Sequence, residues 1–90
     1  MQFIHSREYL EEGESFEVMC DTKSNVMLTT DADFARFKER DSFNYFGGSY
    51  EKFPIRLFAK HSGYWNLTID VGEGYEANIR YTINVIRAGK

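Results

Sequence analysis

Strict alternation of apolar and polar side chains in the last third of the chain constrains the fold more than any other feature. From Tyr64 to Val71, the apolar Trp65, Leu67, Ile69 and Val71 alternate with Tyr64, Asn66, Thr68 and Asp70. A period of two belongs to a β-strand, whose successive side chains point to opposite faces. After Gly72-Glu73-Gly74 the alternation resumes, with Ala77, Ile79, Tyr81, Ile83 and Val85 set against Asn78, Arg80, Thr82 and Asn84. Both apolar sets are odd-numbered. The spacing predicts an antiparallel hairpin whose same-face partners have an even sum, Val71 opposite Ala77 or opposite Tyr75. Trp65 and Ile79 then share one interior, and Thr68 faces water.

The first third repeats the pattern. Phe16, Val18 and Cys20 alternate with Ser15, Glu17, Met19 and Asp21, and Val26, Leu28 and Thr30 continue after a turn at residues 21–25. Phe3 to Leu10 reads as an earlier strand with mixed faces, ended by Glu12-Gly13. One short helix is expected near residues 31–40. Thr30 followed by Asp33 resembles a capping box, with Asp31 as a competing cap, and Phe34 and Phe37 fall on one face. So short a helix cannot hold alone and must dock by those rings. Beyond it, Gly47-Gly48 suggests a turn between two strands, the second running from Glu51 to Ala59. Pro54 cannot donate to a ladder, which puts that second strand on an edge or at a bulge. His61-Ser62-Gly63 turns the chain into its final third. The expected architecture is all-β: an antiparallel two-sheet β-sandwich of about seven short strands plus the helix.

Ninety residues fill one domain, residues 1–90, against a prior of roughly 100–200 residues per domain. The aromatic content compensates for the small size. Fifteen rings are available, each burying about 150–250 Å² when enclosed. Residues 1–45 carry ten carboxylates against five Lys or Arg, and residues 46–90 carry four against six, which together give the net charge of -3. No basic stripe appears, so a dedicated nucleic-acid binder is not expected. A lone cysteine, Cys20, allows no intrachain disulfide and suits a reducing compartment. The stretch from Met1 to Glu8 has neither the basic start nor the apolar core of a signal peptide, and no apolar run reaches the ~18 residues of a membrane span. A cytoplasmic location without membrane contact is expected.

Three stretches form a joint pattern. They are Met1-Gln2-Phe3-Ile4-His5 with Arg7-Glu8-Tyr9-Leu10; Tyr45-Phe46-Gly47-Gly48 with Phe53-Pro54; and Ser62-Gly63-Tyr64-Trp65-Asn66 with Ala77-Asn78-Ile79-Arg80-Tyr81. The chain resembles, over nearly its whole length, a small bacterial family numbered 1883 in the domain-of-unknown-function series. That resemblance implies a compact β-sandwich with no assigned activity, sometimes accompanying signalling modules in longer proteins. It supplies no catalytic residues.

The residues themselves point away from an enzyme. His5 and His61 lie 56 positions apart, and neither has a ligand-spaced companion. Cys20 continues a buried strand face, as a small core residue does. Asp31 and Asp33 lack the further oxygen ligands of a Ca²⁺ loop, and helix capping accounts for them. Gly72-Glu73-Gly74 is turn composition and no nucleotide loop. No catalytic residue, metal site or cofactor is therefore expected.

Two features stand out as binding surfaces. The segment from Phe43 to Phe53 holds five rings, which either close one end of the core or leave Tyr45, Phe46 and Tyr50 as anchors at a glycine-hinged rim. The polar face of the last hairpin, including Tyr64, Asn66 and Arg80, is either solvated or suited to hydrogen-bonding a ligand or a second copy. The leading expectation is a non-enzymatic module binding a protein partner or itself. The alternative is a small-ligand or carbohydrate-binding sandwich using exposed Tyr and Trp rings.

Overall fold

The alternating segments form strands, and they separate into two layers. The computed structural model describes residues 3–70 and 79–88. Its elements are β1 (Ile4–Leu10), β2 (Ser15–Cys20), β3 (Ser24–Thr30), α1 (Asp31–Lys38), β4 (Phe46–Tyr50), β5 (Ile55–Phe58), β6 (Gly63–Asp70) and β7 (Tyr81–Ile86). One antiparallel sheet has the order β1-β6-β3-β4, and the other has the order β5-β2-β7. Phe16, Val18, Leu57, Val26, Leu28, Trp65, Leu67 and Ile69 meet between the two sheets as the main core. The seven-strand antiparallel β-sandwich read from the sequence is the fold.

The strand pairing at the end of the chain differs from the expected hairpin. β6 lies between β1 and β3, with Leu67 opposite Ser6 on one side and Leu28 on the other. Both its ladders are occupied, so it has none left for β7. β7 pairs with β2 in the facing sheet, Ile83 opposite Val18 and Val85 opposite Phe16. The inward parity of Ile83 and Val85 was read correctly, because two facing sheets satisfy it as well as one hairpin does. Ile79 is only half-buried and Tyr81 is exposed, so neither is a core residue on the scale of Trp65. The register suggested for Val71, Tyr75 and Ala77 lies outside the described residues.

The second correction concerns β6's polar side. Asn66 and Thr68 are each 1% exposed, where the alternation predicted a solvated face. The cause is α1, which packs on β3 and β6 over the outer face of the four-stranded sheet. Phe34 and Phe37 dock on Met27, flanked by Phe3 and Phe43, in a second small apolar cluster. The expected cap is present: Thr30 Oγ1 accepts from the Asp33 backbone N–H at 3.3 Å. Asp33 is one carbon shorter than the usual Glu. Its carboxylate accepts from the Thr30 hydroxyl and the Asn44 N–H.

Gly47-Gly48 is no turn. Both glycines lie inside β4, opposite Met27 and Val26 of β3. Gly47 has φ +124°, and a Cβ there would collide with the Val26 carbonyl oxygen. Glycine is required here by close strand approach, a demand that looks like a turn in sequence. The strand expected from Glu51 to Ala59 shortens to Ile55–Phe58, with Pro54 just before it at the edge of its sheet. The chain's two halves are tied by Glu14, a buried carboxylate that accepts from the N–H groups of Glu11 and Ala88 and from Arg87. Those bonds, led by the Glu11 N–H, hold its carboxyl below the usual carboxylate range.

Candidate functional site

The outer face of β1 and β6 carries a polar network built around Asn66. The neighbouring strand aligns His5 with Thr68, Arg7 with Asn66 and Tyr9 with Tyr64, so alternate residues of β1 stand beside those of β6. The first residue of α1 brings Asp31 onto this row. Asn66 Nδ2 donates to Asp31 Oδ1 at 2.8 Å, and Asn66 Oδ1 lies 2.7 Å from His5 Nε2. A carboxylate only accepts, so the amide nitrogen must face Asp31 and the amide oxygen His5. His5 Nε2 is thereby the protonated donor. The His5 ring also stacks on Phe34, with centroids 4.0 Å apart and planes within 9°.

Asp31 is the hub of the charge. Arg7 grips it with two bonds, Nε to Oδ1 at 2.9 Å and Nη2 to Oδ2 at 2.8 Å. Those guanidinium bonds first, and the Asn66 amide second, lower the Asp31 carboxyl from 3.8 to about 2. Fixed in this way, the Arg7 guanidinium lies 3.9 Å from the centroid of the Tyr64 ring. Tyr9 meets the same ring edge-on at 5.4 Å. Tyr64 is 50% exposed and Tyr9 44% exposed, so the three side chains form a surface platform.

The pair leaves a pH signature. Asp31's folded pKa is depressed, so its stabilisation is fully present above the unfolded value of 3.8 and is lost as pH falls towards about 2. Melting temperature followed from about pH 6 down to about pH 2 is expected to fall less steeply in Asp31→Asn than in the parent. Both ends of the ion pair are about half exposed, so the difference is modest. Parallel acid limbs would mean that the pair contributes nothing.

The expected site residues do not converge. Tyr64 and Asn66 belong to the network, one as its exposed ring and the other as its buried anchor. Tyr45 is exposed beside Phe43 on the outer face, with ring centroids 5.5 Å apart. Phe46 is exposed at the start of β4, 6.1 Å from the Trp65 ring. Tyr50, at the far end of the same strand, is half-buried against the main core and forms no part of a rim. Arg80 lies just before β7 at the other sheet, where its carbonyl accepts from the Asp21 N–H and its own N–H donates to the Asp21 carboxylate. Trp65 is buried and offers no surface ring.

Sequence reasoning missed His5 and Asp31 as partners of Asn66, and Arg7 and Tyr9 as partners of Asp31 and Tyr64. The segment from Phe3 to Leu10 reads in sequence as a strand with mixed faces, and nothing local says which strand lies beside it; in the structure His5, Arg7 and Tyr9 share its outer face. Asp31 was assigned to capping, a role that the Thr30 hydroxyl already fills. Among the described residues no three His, Cys, Asp or Glu side chains gather as metal ligands. No helix among them is long and apolar enough to cross a membrane.

A family model described as a domain of unknown function (DUF1883) matches residues 1–89. The chain belongs to the DUF1883 family. No curated protein and no solved structure matches it. Membership in DUF1883 brings no activity with it, so a functional reading rests on the outer-face network alone.

Proposed function

We propose that this domain is a non-enzymatic interaction module that associates with a second copy of itself through the Tyr9–Arg7–Tyr64 platform. The observation that carries the reading is the Arg7 guanidinium held 3.9 Å over an exposed Tyr64 ring by a bidentate bond to Asp31. Tyrosine and arginine, with tryptophan, are the side chains enriched at binding hot spots. Here they are already ordered, so little side-chain entropy remains to be lost on contact. The platform offers both a cation and electron-rich ring faces. A two-fold interface needs such self-complementarity, since Arg7 of one copy can meet the rings of the other.

Sedimentation velocity across a concentration series tests the reading. The expected mass climbs from one 10.6 kDa chain towards two, and Tyr64→Ser returns it to one without lowering the melting temperature as a core truncation does. A parent protein that stays monomeric at every concentration ends the proposal. Association that survives both Tyr64→Ser and Tyr9→Ser assigns it to another surface.

A further inference from the structure

β1 carries both Arg7 and Tyr9 of the platform, and it is the edge of its sheet. β6 flanks it on one side, and no strand among the described residues flanks it on the other. It is the longest of the described edge strands, with seven residues against five in β4, four in β5 and six in β7. It pairs with β6 without a bulge over its whole length. β4, in contrast, contains two glycines at positive φ, and β5 starts directly after Pro54. A long, regular edge presents unpaired N–H and C=O groups, a template for another strand.

The bonds around β1 fix which groups face outward. In an antiparallel strand the N–H and C=O of one residue point the same way, and successive residues alternate. The Tyr9 carbonyl accepts at 2.7 Å from Arg87, which follows β7 in the facing sheet, so Tyr9 points away from β6. Arg7 and His5 then do so too. The same parity runs across the registers from Val26, whose carbonyl points at β4. A carbonyl oxygen has two lone pairs, so Arg87 leaves one for a second strand.

A second copy pairing antiparallel about a two-fold axis keeps both outer faces on one side only when the axis passes through a residue. Centred on Arg7, the pairing sets guanidinium against guanidinium and Tyr9 against His5. Centred on Ser6, it sets Arg7 against His5. Centred on Glu8, it sets Arg7 of each copy directly opposite Tyr9 of the other, as a hydrogen-bonded pair. Each Tyr64–Tyr9 ring pair is then continued by a cation. Glu8 meets its own copy, and each Glu8 already has Arg87 at 3.8 Å, so two arginines balance the two carboxylates.

We propose that the second copy adds to β1 edge to edge, antiparallel and centred on Glu8, so that two four-stranded sheets become one continuous sheet. The register rests on self-association through the platform.

Disulfide trapping tests it. Residues facing each other at a non-hydrogen-bonded position stand about 4.5 Å apart at Cα, inside the span of about 4.4–6.8 Å that a disulfide bridges. Glu8→Cys is therefore expected to form a covalent dimer under mild oxidation, at concentrations where sedimentation shows two chains. The Glu8 side chain is half exposed, so the replacement leaves the fold intact. Ser6→Cys is expected to stay untrapped, because Ser6 and its copy then stand about 14 Å apart along the strand. The parent, whose Cys20 is buried, is expected to stay untrapped as well. The Arg7 and Tyr9 amides are expected to exchange hydrogen roughly tenfold or more slowly in the associated protein than in the monomer. Association in sedimentation without a Glu8→Cys dimer overturns the register and leaves the platform reading standing. Trapping of Ser6→Cys, or unchanged exchange at Arg7 and Tyr9, overturns the register too. A parent that stays monomeric at every concentration ends both.

Discussion

Leu67→Ala is expected to remove about 2–5 kcal/mol of folding stability, the cost of a buried leucine and the cavity it leaves. Leu67 is fully buried on β6, an interior strand of its sheet, and points at the β2 side of the core. A chain of this length has about 5–13 kcal/mol in hand, so the loss takes up a large part of it. Ile79→Ala is expected to cost less than about 2 kcal/mol, because Ile79 is only half-buried where the chain enters β7. Thr68, one residue beyond Leu67, should respond in the other direction. Its hydroxyl is buried and has no hydrogen-bond partner among the described residues. Thr68→Val keeps the shape and removes the orphaned group, for a gain of about 1 kcal/mol. Urea denaturation of the three variants decides the matter. Equal losses in Leu67→Ala and Ile79→Ala would mean that Ile79 is buried as deeply as Leu67 and contradict its half-buried place at the entry to β7.

That contrast shows what alternation can and cannot carry. Parity tells which residues of a strand share a face, and for Phe16, Val18, Val26, Leu28, Trp65, Leu67 and Ile69 it placed every one in the core. It does not tell which strand is the neighbour. Val85 points inward equally well from a hairpin beside β6 or from a sheet opposite it, and only the occupied ladders of β6 separate the two. The helix carried a second, hidden instruction. Phe34 and Phe37 signalled that α1 must dock, and the surface on which it docks is the polar side of β3 and β6. Once a sheet face is covered, its polar residues stop being solvent residues and must find partners within the fold.

The candidate site was illegible for the same reason. Its members come from β1, β6 and the first turn of α1, separated by up to 61 positions in the chain. Each has an unremarkable local reading as strand surface or helix cap. Glycines misled in the opposite direction. Gly47 serves the approach of β4 to the Val26 carbonyl, a tertiary requirement with the composition of a turn.

Asn66→Ala is the second large expected effect, and it links stability to the proposed platform. The amide makes one bond to the charged Asp31 and one to His5, both in a position 1% exposed. Bonds to charged groups contribute about 1.5–3 kcal/mol and neutral ones about 1, so truncation should cost about 2–4 kcal/mol. The loss is larger than a surface asparagine allows, since such sites move stability by about 0.5 kcal/mol or less. Asp31 then keeps only Arg7 of its two side-chain supports, and its carboxyl should rise from about 2 towards 3.8. Arg7 keeps its two bonds to Asp31, but to a carboxylate that the Asn66 amide no longer fixes, so its guanidinium is held less firmly over Tyr64. Self-association should therefore weaken in Asn66→Ala although Asn66 itself is buried and can touch no partner. A double-mutant cycle with Asp31→Ala separates the two roles: a coupling of about 0.5–3 kcal/mol is expected for residues in one hydrogen-bonded network. A coupling near zero, with association unchanged, would mean that Asn66 merely fills space beneath α1 and that the platform stands without it.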